Sequence, residues 1–329
     1  MIVDISYAIT IFNKYFPNVS IYYHPKYISN EKINNFNSEP RFYIYKEENQ
    51  VFYHAFIENV IKIDGIVYRD IQAPIGYGGP LILGKDDFKE RAINNYIEWA
   101  KEQNYLVELV KFHPLLTNEN YYGEKLFNRK TIVIDLEHKE LFLSYKSRIR
   151  RKIRKAEREQ ISTTFSKESR YVKAFINTYL ELMHSKNANM EYFFTEEYLT
   201  TIINEDFVKL VSAVDKEGNI LGGVVFLQND YISDYHLSAS NELGRKFAVT
   251  SLIIHDYAMY AKMNNLKFLY LGGGYNTEVE NSLLHFKQGF SDLVEKFYIG
   301  YYVHNKSVYN KLKLDNNLHN EEHRVIFYR

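Results

Sequence analysis

The chain has no cysteine. That excludes disulfides, thiolate nucleophiles and cysteine-ligated zinc or iron–sulfur centres, and it is compatible with a reducing compartment. Neither sign of charge is in excess, since 41 Lys and Arg balance 41 Asp and Glu. A surface that coats itself in nucleic acid everywhere is thereby excluded. No stretch approaches roughly 18 consecutive apolar residues, so no transmembrane helix is expected. The opening MIVDISYAITIFNKYF has no basic n-region and carries Asp4 inside its apolar run, so no signal peptide is expected, and the cytoplasm is the expected location. Gly-x-Ser-x-Gly, Walker A and Gly-x-Gly-x-x-Gly motifs are all missing, which removes the commonest hydrolase, P-loop and dinucleotide-binding signatures.

What is present is aromatic. Thirty Tyr and 22 Phe stand in 329 residues, a composition that buries large areas while Tyr keeps a polar tip. With no net charge it describes a folded chain, long enough for about two domains. The chain also repeats itself weakly at half its length. Tyr96-Ile-Glu-Trp-Ala-Lys-Glu-Gln-Asn104 lines up with Tyr257-Ala-Met-Tyr-Ala-Lys-Met-Asn-Asn265, matching at Tyr, Ala, Lys and Asn. Each segment has helical spacing, stops at Asn and runs into an apolar strand, Tyr105–Val110 in one half and Lys267–Leu271 in the other. Upstream, Lys46-Glu-Glu-Asn49 and Lys216-Glu-Gly-Asn219 sit between β-rich runs and read as hairpin turns. Each half therefore reads hairpin, strand, turn, helix, strand. The expectation is a paired α/β (α+β) chain divided into 1–140 and 141–329, with part of 300–329 open to joining the first domain. No Gly/Ser/Pro-rich linker separates the two.

Just past this junction, Tyr145, Ile149, Ile153 and Ala156 fall on one helical stripe. Residues 146–158 hold eight basic side chains and one acid, a local charge of +7 in a neutral chain. Arg148, Arg151, Lys152 and Lys155 on this helix are candidates for binding phosphate or nucleic acid. A solvated helix face paired with the acidic remainder is the alternative.

Further on, Gly244 and Arg245 stand where a strand gives way to a helix, a suitable place for an anion or for an ordinary turn. Gly272-Gly-Gly274 follows strand 267–271 and permits a tight turn or close approach of a ligand. Lys287 lies among Leu283, Leu284, Phe286 and Phe290. It is either an ammonium held against apolar surface or a lysine that snorkels from it. His319-Asn-Glu-Glu-His323 matches an inverted zinc-protease pattern but leaves no room downstream for another ligand, and no metal is expected. Asp86-Asp87 reads as helix N-terminal charge.

Arg148-Ile-Arg-Arg-Lys-Ile-Arg-Lys-Ala-Glu157, Tyr235-His-Leu-Ser-Ala-Ser-Asn241, Leu271-Gly-Gly-Gly274 and Phe286-Lys-Gln-Gly-Phe290 together resemble the Fem family. Its members are the non-ribosomal peptidyl transferases of peptidoglycan cross-bridges, with a wider group of Fem-like acyltransferases in the GNAT superfamily. In the first half Ile75-Gly-Tyr-Gly-Gly-Pro80 and Phe112-His-Pro-Leu-Leu116 resemble motifs of the family's first domain. The similarity runs over residues 40 to 300. It implies twin GNAT-like domains, each a mixed central sheet flanked by helices, and transfer of an acyl group onto an amine.

The implied donor is aminoacyl-tRNA or acyl-CoA, with no other cofactor required. The implied acceptor is an amino group of a nucleotide- or lipid-linked envelope precursor such as a muropeptide. A monomer is the expected assembly. Lys287 matches the family's charge-stabilising lysine. Tyr235 and Arg245 fall where the acceptor is contacted, and Tyr77, Gly78, Gly273 and Phe286 belong to the matched motifs as substrate-binding candidates. His113, at a strand end, is a candidate base near neutral pH, or else a strand cap before proline.

The chain departs from the pattern in four places. Many cross-bridge enzymes have an acid where His113 stands. The first 40 residues show no acceptor-binding pattern. Residues 166–206 are too short for a helical arm. Asn241-Glu-Leu-Gly-Arg-Lys246 puts a lysine where the coenzyme A loop of ordinary GNAT enzymes has a small residue. Three readings follow: a tRNA-dependent aminoacyltransferase, an acyl-CoA-dependent acetyltransferase of amino sugars in surface polysaccharide, and a non-enzymatic module that binds tRNA or a precursor.

Overall fold

Asp4 caps the first helix, its carboxylate accepting from the Tyr7 N–H, and the chain then alternates between runs with helical and with β periodicity. A computed structural model describes residues 1–35, 37–116, 119–275, 281–316 and 325–328. The His319–His323 pattern lies outside the described residues. Helices α1 (Ile5–Tyr15) and α2 (Pro25–Asn34) precede strands β1 (Ser38–Glu47), β2 (Gln50–Ile63), β3 (Ile66–Gln72) and β4 (Leu81–Leu83). Helix α3 (Asp86–Glu102), β5 (Tyr105–Lys111) and β6 (Glu124–Asp135) follow. Next come α4 (Leu141–Ser144), α5 (Ser147–Arg158), β7 (Ser162–Phe165), α6 (Ser169–Ser185) and α7 (Glu196–Asn204), then β8 (Val208–Val214), β9 (Ile220–Gln228) and β10 (Ile232–Ser240). The chain continues with α8 (Glu242–Phe247), α9 (Val249–Met263), β11 (Phe268–Gly273), α10 (Ser282–Lys287), β12 (Leu293–Val303) and α11 (Lys306–Asp315).

The chain divides into two compact units. Residues 1–17, 22–128 and 297–329 form the first, and residues 18–21 and 129–296 the second. The chain passes from one to the other inside β6, between Asn128 and Arg129. The sequence junction near residue 140 lies just beyond the end of that strand.

In the first unit β1, β2 and β3 pair antiparallel, β3 pairs β5 parallel, and β5 pairs the last residues of β12 antiparallel. In the second, β7, β8, β9 and β10 pair antiparallel, β10 pairs β11 parallel, and β11 pairs β6 antiparallel. The same sequence of ladders thus occurs twice, with α3 and α9 each crossing between a pair of parallel strands.

The residues that match in the repeat are the ones this crossover needs. Tyr96 and Tyr257 are fully buried, as are Ala100 and Ala261. Asn104 and Asn265 close the two helices in the left-handed region, at φ 58° and 63°, a conformation Asn tolerates better than most side chains. Tyr257 stacks on Phe226 with centroids 3.6 Å apart and planes at 3°, and its hydroxyl donates to Gln228 at 2.8 Å.

The stripe of α5 is realised as expected. Tyr145, Ile149, Ile153 and Ala156 are buried in one cluster with Val249, Ile253 and Tyr257 of α9. Each fully buried isoleucine contributes about 2 kcal/mol, and the basic residues are left on the other face. Residues 241–246, read from the sequence as a loop into a helix, instead form the N-cap and most of the short helix α8. Asn241 caps it, accepting from the Gly244 N–H at 2.8 Å. Gly244 is glycine because a Cβ there would lie 2.2 Å from the Leu221 carbonyl oxygen. Among the described residues no helix is long and apolar enough to cross a membrane.

Candidate functional site

The densest chemistry in the second unit lies where β11 ends in glycine. The ladder to β6 slips between Tyr270 and Gly272, and Gly272 takes φ +76°, a backbone that L side chains rarely adopt. Gly273 faces the stem of Arg129: a Cβ there would lie 3.0 Å from Arg129 Cδ and 2.9 Å from the Lys130 carbonyl oxygen. After Gly274, Asn281 caps α10 by accepting from the N–H groups of Leu283 and Leu284, both at 3.1 Å. The last residue of that short helix is Lys287.

Lys287 is 6 % exposed. Its Nζ donates to the Gly273 carbonyl at 2.7 Å and lies 5.5 Å from the centre of the Tyr235 ring. Burial, with a smaller push from the neighbouring Arg129 guanidinium, brings its pKa down to about 7. It is thus an amine divided between its two protonation states at neutral pH. Tyr235 sits at a bulge in β10. Its hydroxyl donates to Ser238, and burial pushes its pKa up to about 12. His236, the next residue, is pushed down to about 3 by burial.

The Asn281 cap depends on Gly274, because a Cβ at that position would lie 2.3 Å from the Asn281 side chain. Gly274→Ala is expected to displace the cap at a cost of about 1 kcal/mol and with it the helix that carries Lys287. A chemical-denaturation midpoint for the variant equal to that of the wild type would show that the cap is not displaced.

Beside this corner lies a basic face interleaved with aromatic rings. The Arg148 guanidinium donates to the His285 carbonyl, and the Lys152 ammonium stands 5.3 Å over the Phe286 ring. The Lys155 ammonium donates to the Lys246 carbonyl at 2.6 Å and stands 5.9 Å from the Phe247 ring. Arg151 is exposed on the same helix, and Arg245, exposed on α8, donates to the Ser240 carbonyl at 2.6 Å. Of the residues nominated from the sequence, Lys287, Tyr235, Gly273 and Phe286 meet at the β11 corner. Arg148 and Lys152 adjoin it, while Lys155 and Arg245 are engaged with α8 and the end of β10.

Tyr77, Gly78 and His113 are gathered in the first unit. Gly78 exchanges two backbone bonds with Lys111, at 2.8 and 3.1 Å. The Tyr77 ring meets those of Tyr22, His113 and Phe297 edge-on, at 5.3, 5.0 and 5.3 Å. His113 is fully buried. Its N–H donates to the Tyr23 hydroxyl at 3.1 Å, and its Nδ1 accepts from the Leu115 N–H at 3.3 Å.

Sequence reading overlooked two ionisable groups. One is Arg129, whose Nη1 donates to the Gly274 carbonyl at 2.8 Å. The other is Glu31 of α2, buried beneath the Ile75–Pro80 loop, which accepts from the Ile75 N–H. Burial pushes its pKa up to about 8, against the opposing pull of that bond and of Lys111. Only the antiparallel pairing of β6 with β11, had it been inferred, would have placed Arg129 beside the glycines.

The chain shares the fold of FemX. That crystal structure is 13% identical, with a TM-score of 0.71 over 95% of this chain and 99% of the other. L-PGS from Bacillus licheniformis is 14% identical with a TM-score of 0.61, covering 96% of each chain. A conserved protein of unknown function from Bacteroides thetaiotaomicron is 11% identical, with a TM-score of 0.58 over 91% of this chain and 99% of its own. No family model matches the sequence, and no curated protein does. The architecture is the FemX-like one, with a mixed sheet flanked by helices in each unit.

Proposed function

We propose that the chain is an N-acyltransferase that moves an aminoacyl group from aminoacyl-tRNA to an amino group of a cell-envelope precursor such as a muropeptide. The observation that carries this reading is the buried Lys287 ammonium, aimed by the Gly273 carbonyl at the end of β11 in a Fem-like fold. Attack of the acceptor amine on the ester carbonyl forms a C–N bond and a tetrahedral oxyanion. A positioned cation at that oxygen stabilises it by about 3 kcal/mol. Collapse breaks the C–O bond, and the leaving ribose oxygen takes a proton. Lys287, titrating near neutrality, delivers that proton and recovers it from the attacking nitrogen. The products are an amide and a free hydroxyl. Tyr235, Gly273 and Phe286 bound the reacting groups.

The face carrying Arg148, Arg151, Lys152 and Lys155 suits the RNA phosphates. Its rings over lysine suit an unpaired 3′ end better than a small thioester. Capping of the Gly244 N–H by Asn241 also counts against a coenzyme A pyrophosphate in that turn, and so against the acetyl-CoA reading.

The test is transfer from a pool of charged tRNAs to a nucleotide-linked muropeptide, read by mass spectrometry. An aminoacylated product is expected. Absence of product with every amino acid, together with thermal stabilisation by acetyl-CoA but not by tRNA, overturns the reading in favour of acyl-CoA chemistry. Binding of tRNA retained by Lys287→Ala, with no transfer by the wild type from any donor, would leave only a binding module. Binding of tRNA through four phosphate contacts is expected to weaken about 50-fold between 50 and 200 mM salt, and a flat salt response would remove RNA as the partner.

A further inference from the structure

The carbonyls of Gly273 and Gly274 are consecutive, and each is taken by a different cation. Lys287 donates to the first at 2.7 Å and Arg129 to the second at 2.8 Å. The Arg129 stem crosses over Gly273, where no Cβ fits, and Gly272 holds the left-handed backbone that turns this short run. On the other side Gly274 abuts the Asn281 cap of α10, the helix that ends in Lys287. Two fixed points therefore determine where the ammonium sits: the cap at the start of its helix and the Arg129 guanidinium from β6.

We infer that Arg129 is a positioning residue for Lys287, pinning the Gly274 carbonyl so that the preceding carbonyl faces the ammonium and setting a second positive charge beside it. This deepens the proposed function, because it names what keeps the transfer lysine able to give up and recover a proton.

The surroundings of Lys287 support the assignment. Among the described residues, the titratable groups about it are Arg129 from β6, Tyr235 from β10, Tyr270 from β11 beneath Gly272, and His285 on its own helix. Arg148 of α5 is committed to the His285 carbonyl. Among the described residues no carboxylate belongs to this set, and desolvation and the like charge of Arg129 both disfavour the ammonium. Arg129 contributes the guanidinium of the set, a delocalised cation.

The experiment reads Lys287 directly, without substrate. In protein labelled with 13C- and 15N-lysine, the Lys287 Cε and Nζ signals are assigned by their loss in Lys287→Met and followed with pH. The wild type is expected to titrate near pH 7. In Arg129→Gln the midpoint is expected to rise by about half a pH unit or more. In Arg129→Lys, which keeps the charge, it is expected to stay closer to the wild-type value. Gly273→Ala, which pushes the Arg129 stem aside and leaves its charge in the chain, is the second variant and is expected to raise the midpoint as well.

A folded Arg129→Gln protein whose Lys287 midpoint equals the wild type's overturns the inference, as does an unmoved midpoint in Gly273→Ala should the glutamine variant fail to fold. Where transfer is measured, the falling limb of kcat against pH should move with that midpoint, while the KM for the donor holds. A merely structural arginine would lower the rate and leave the limb in place. If the midpoint moves but no donor supports transfer, the inference stands and the proposed function falls.

Discussion

Lys287→Met is expected to lower kcat for aminoacyl transfer by about 100-fold or more while leaving the protein as stable as the wild type, or more so. The two halves of this expectation have one cause. Lys287 is buried and its pKa is brought down to about 7 from 10.5, so folding must strip a cation of water or take its proton. A lysine whose folded pKa is depressed destabilises the native state fully below the folded value. Stability is then regained as pH rises from about 7 towards 10.5, the interval in which the unfolded chain alone is protonated. Methionine removes that cost at nearly constant volume, a gain of about 2–4 kcal/mol at pH 7 by the same linkage.

Arginine in its place would restore positive charge but not activity, because a guanidinium does not release its proton. Steady-state kinetics with a urea melt of each variant checks both halves. A Met variant that transfers at the wild-type rate removes Lys287 from the mechanism. One that loses both rate and several kcal/mol makes it a structural residue.

How much of this was legible in the sequence depended on whether the signal was local. The repeat was legible because Tyr96, Ala100 and Asn104, like Tyr257, Ala261 and Asn265, answer to one local geometry: a helix with an apolar stripe closing on a left-handed residue before a buried strand. The basic helix was legible for the same reason, since its stripe and its charge both recur at helical spacing. Lys287 could be nominated from its apolar neighbours, but its partner could not. Gly273 lies fourteen residues away in the chain, across a glycine run with no periodicity.

Arg129 was invisible because nothing around it in the sequence separates it from the other basic residues of β6. Only the register that sets Gly273 opposite Thr131 brings it to the site. The α8 turn misled because strand-to-helix loops and short capped helices share one composition, and the Asn241 side chain decided between them. The return of residues 297–303 to pair with β5 is likewise a long-range pairing that leaves no local trace.

Glu31 carries the second large effect, and here the sign is opposite in origin. Its carboxyl lies against the Ile75 N–H beneath the Ile75–Pro80 loop, and burial holds its pKa up at about 8. Tyr27, one helical turn before it, donates to the carbonyl of the same residue at 2.8 Å, so α2 holds both the N–H and the carbonyl of Ile75. The loop depends on this grip, because Gly76 runs at φ +92° with the Tyr22 ring where a Cβ would stand.

A carboxyl whose folded pKa lies above its unfolded value of 4.5 stabilises the fold most below 4.5. It loses that contribution as pH rises towards about 8, the interval in which only the unfolded chain has released the proton. Wild-type stability should therefore fall across that range, by up to about 4 kcal/mol from this group. Glu31→Gln keeps an oxygen for the Ile75 N–H and cannot ionise. It is expected to flatten the slope and, at pH 8, to exceed the wild type by a similar amount. Urea midpoints at pH 5 and pH 8 measure it: a gap between variant and wild type that widens with pH supports the buried neutral acid, and parallel curves would mean that Glu31 is ionised in the native state.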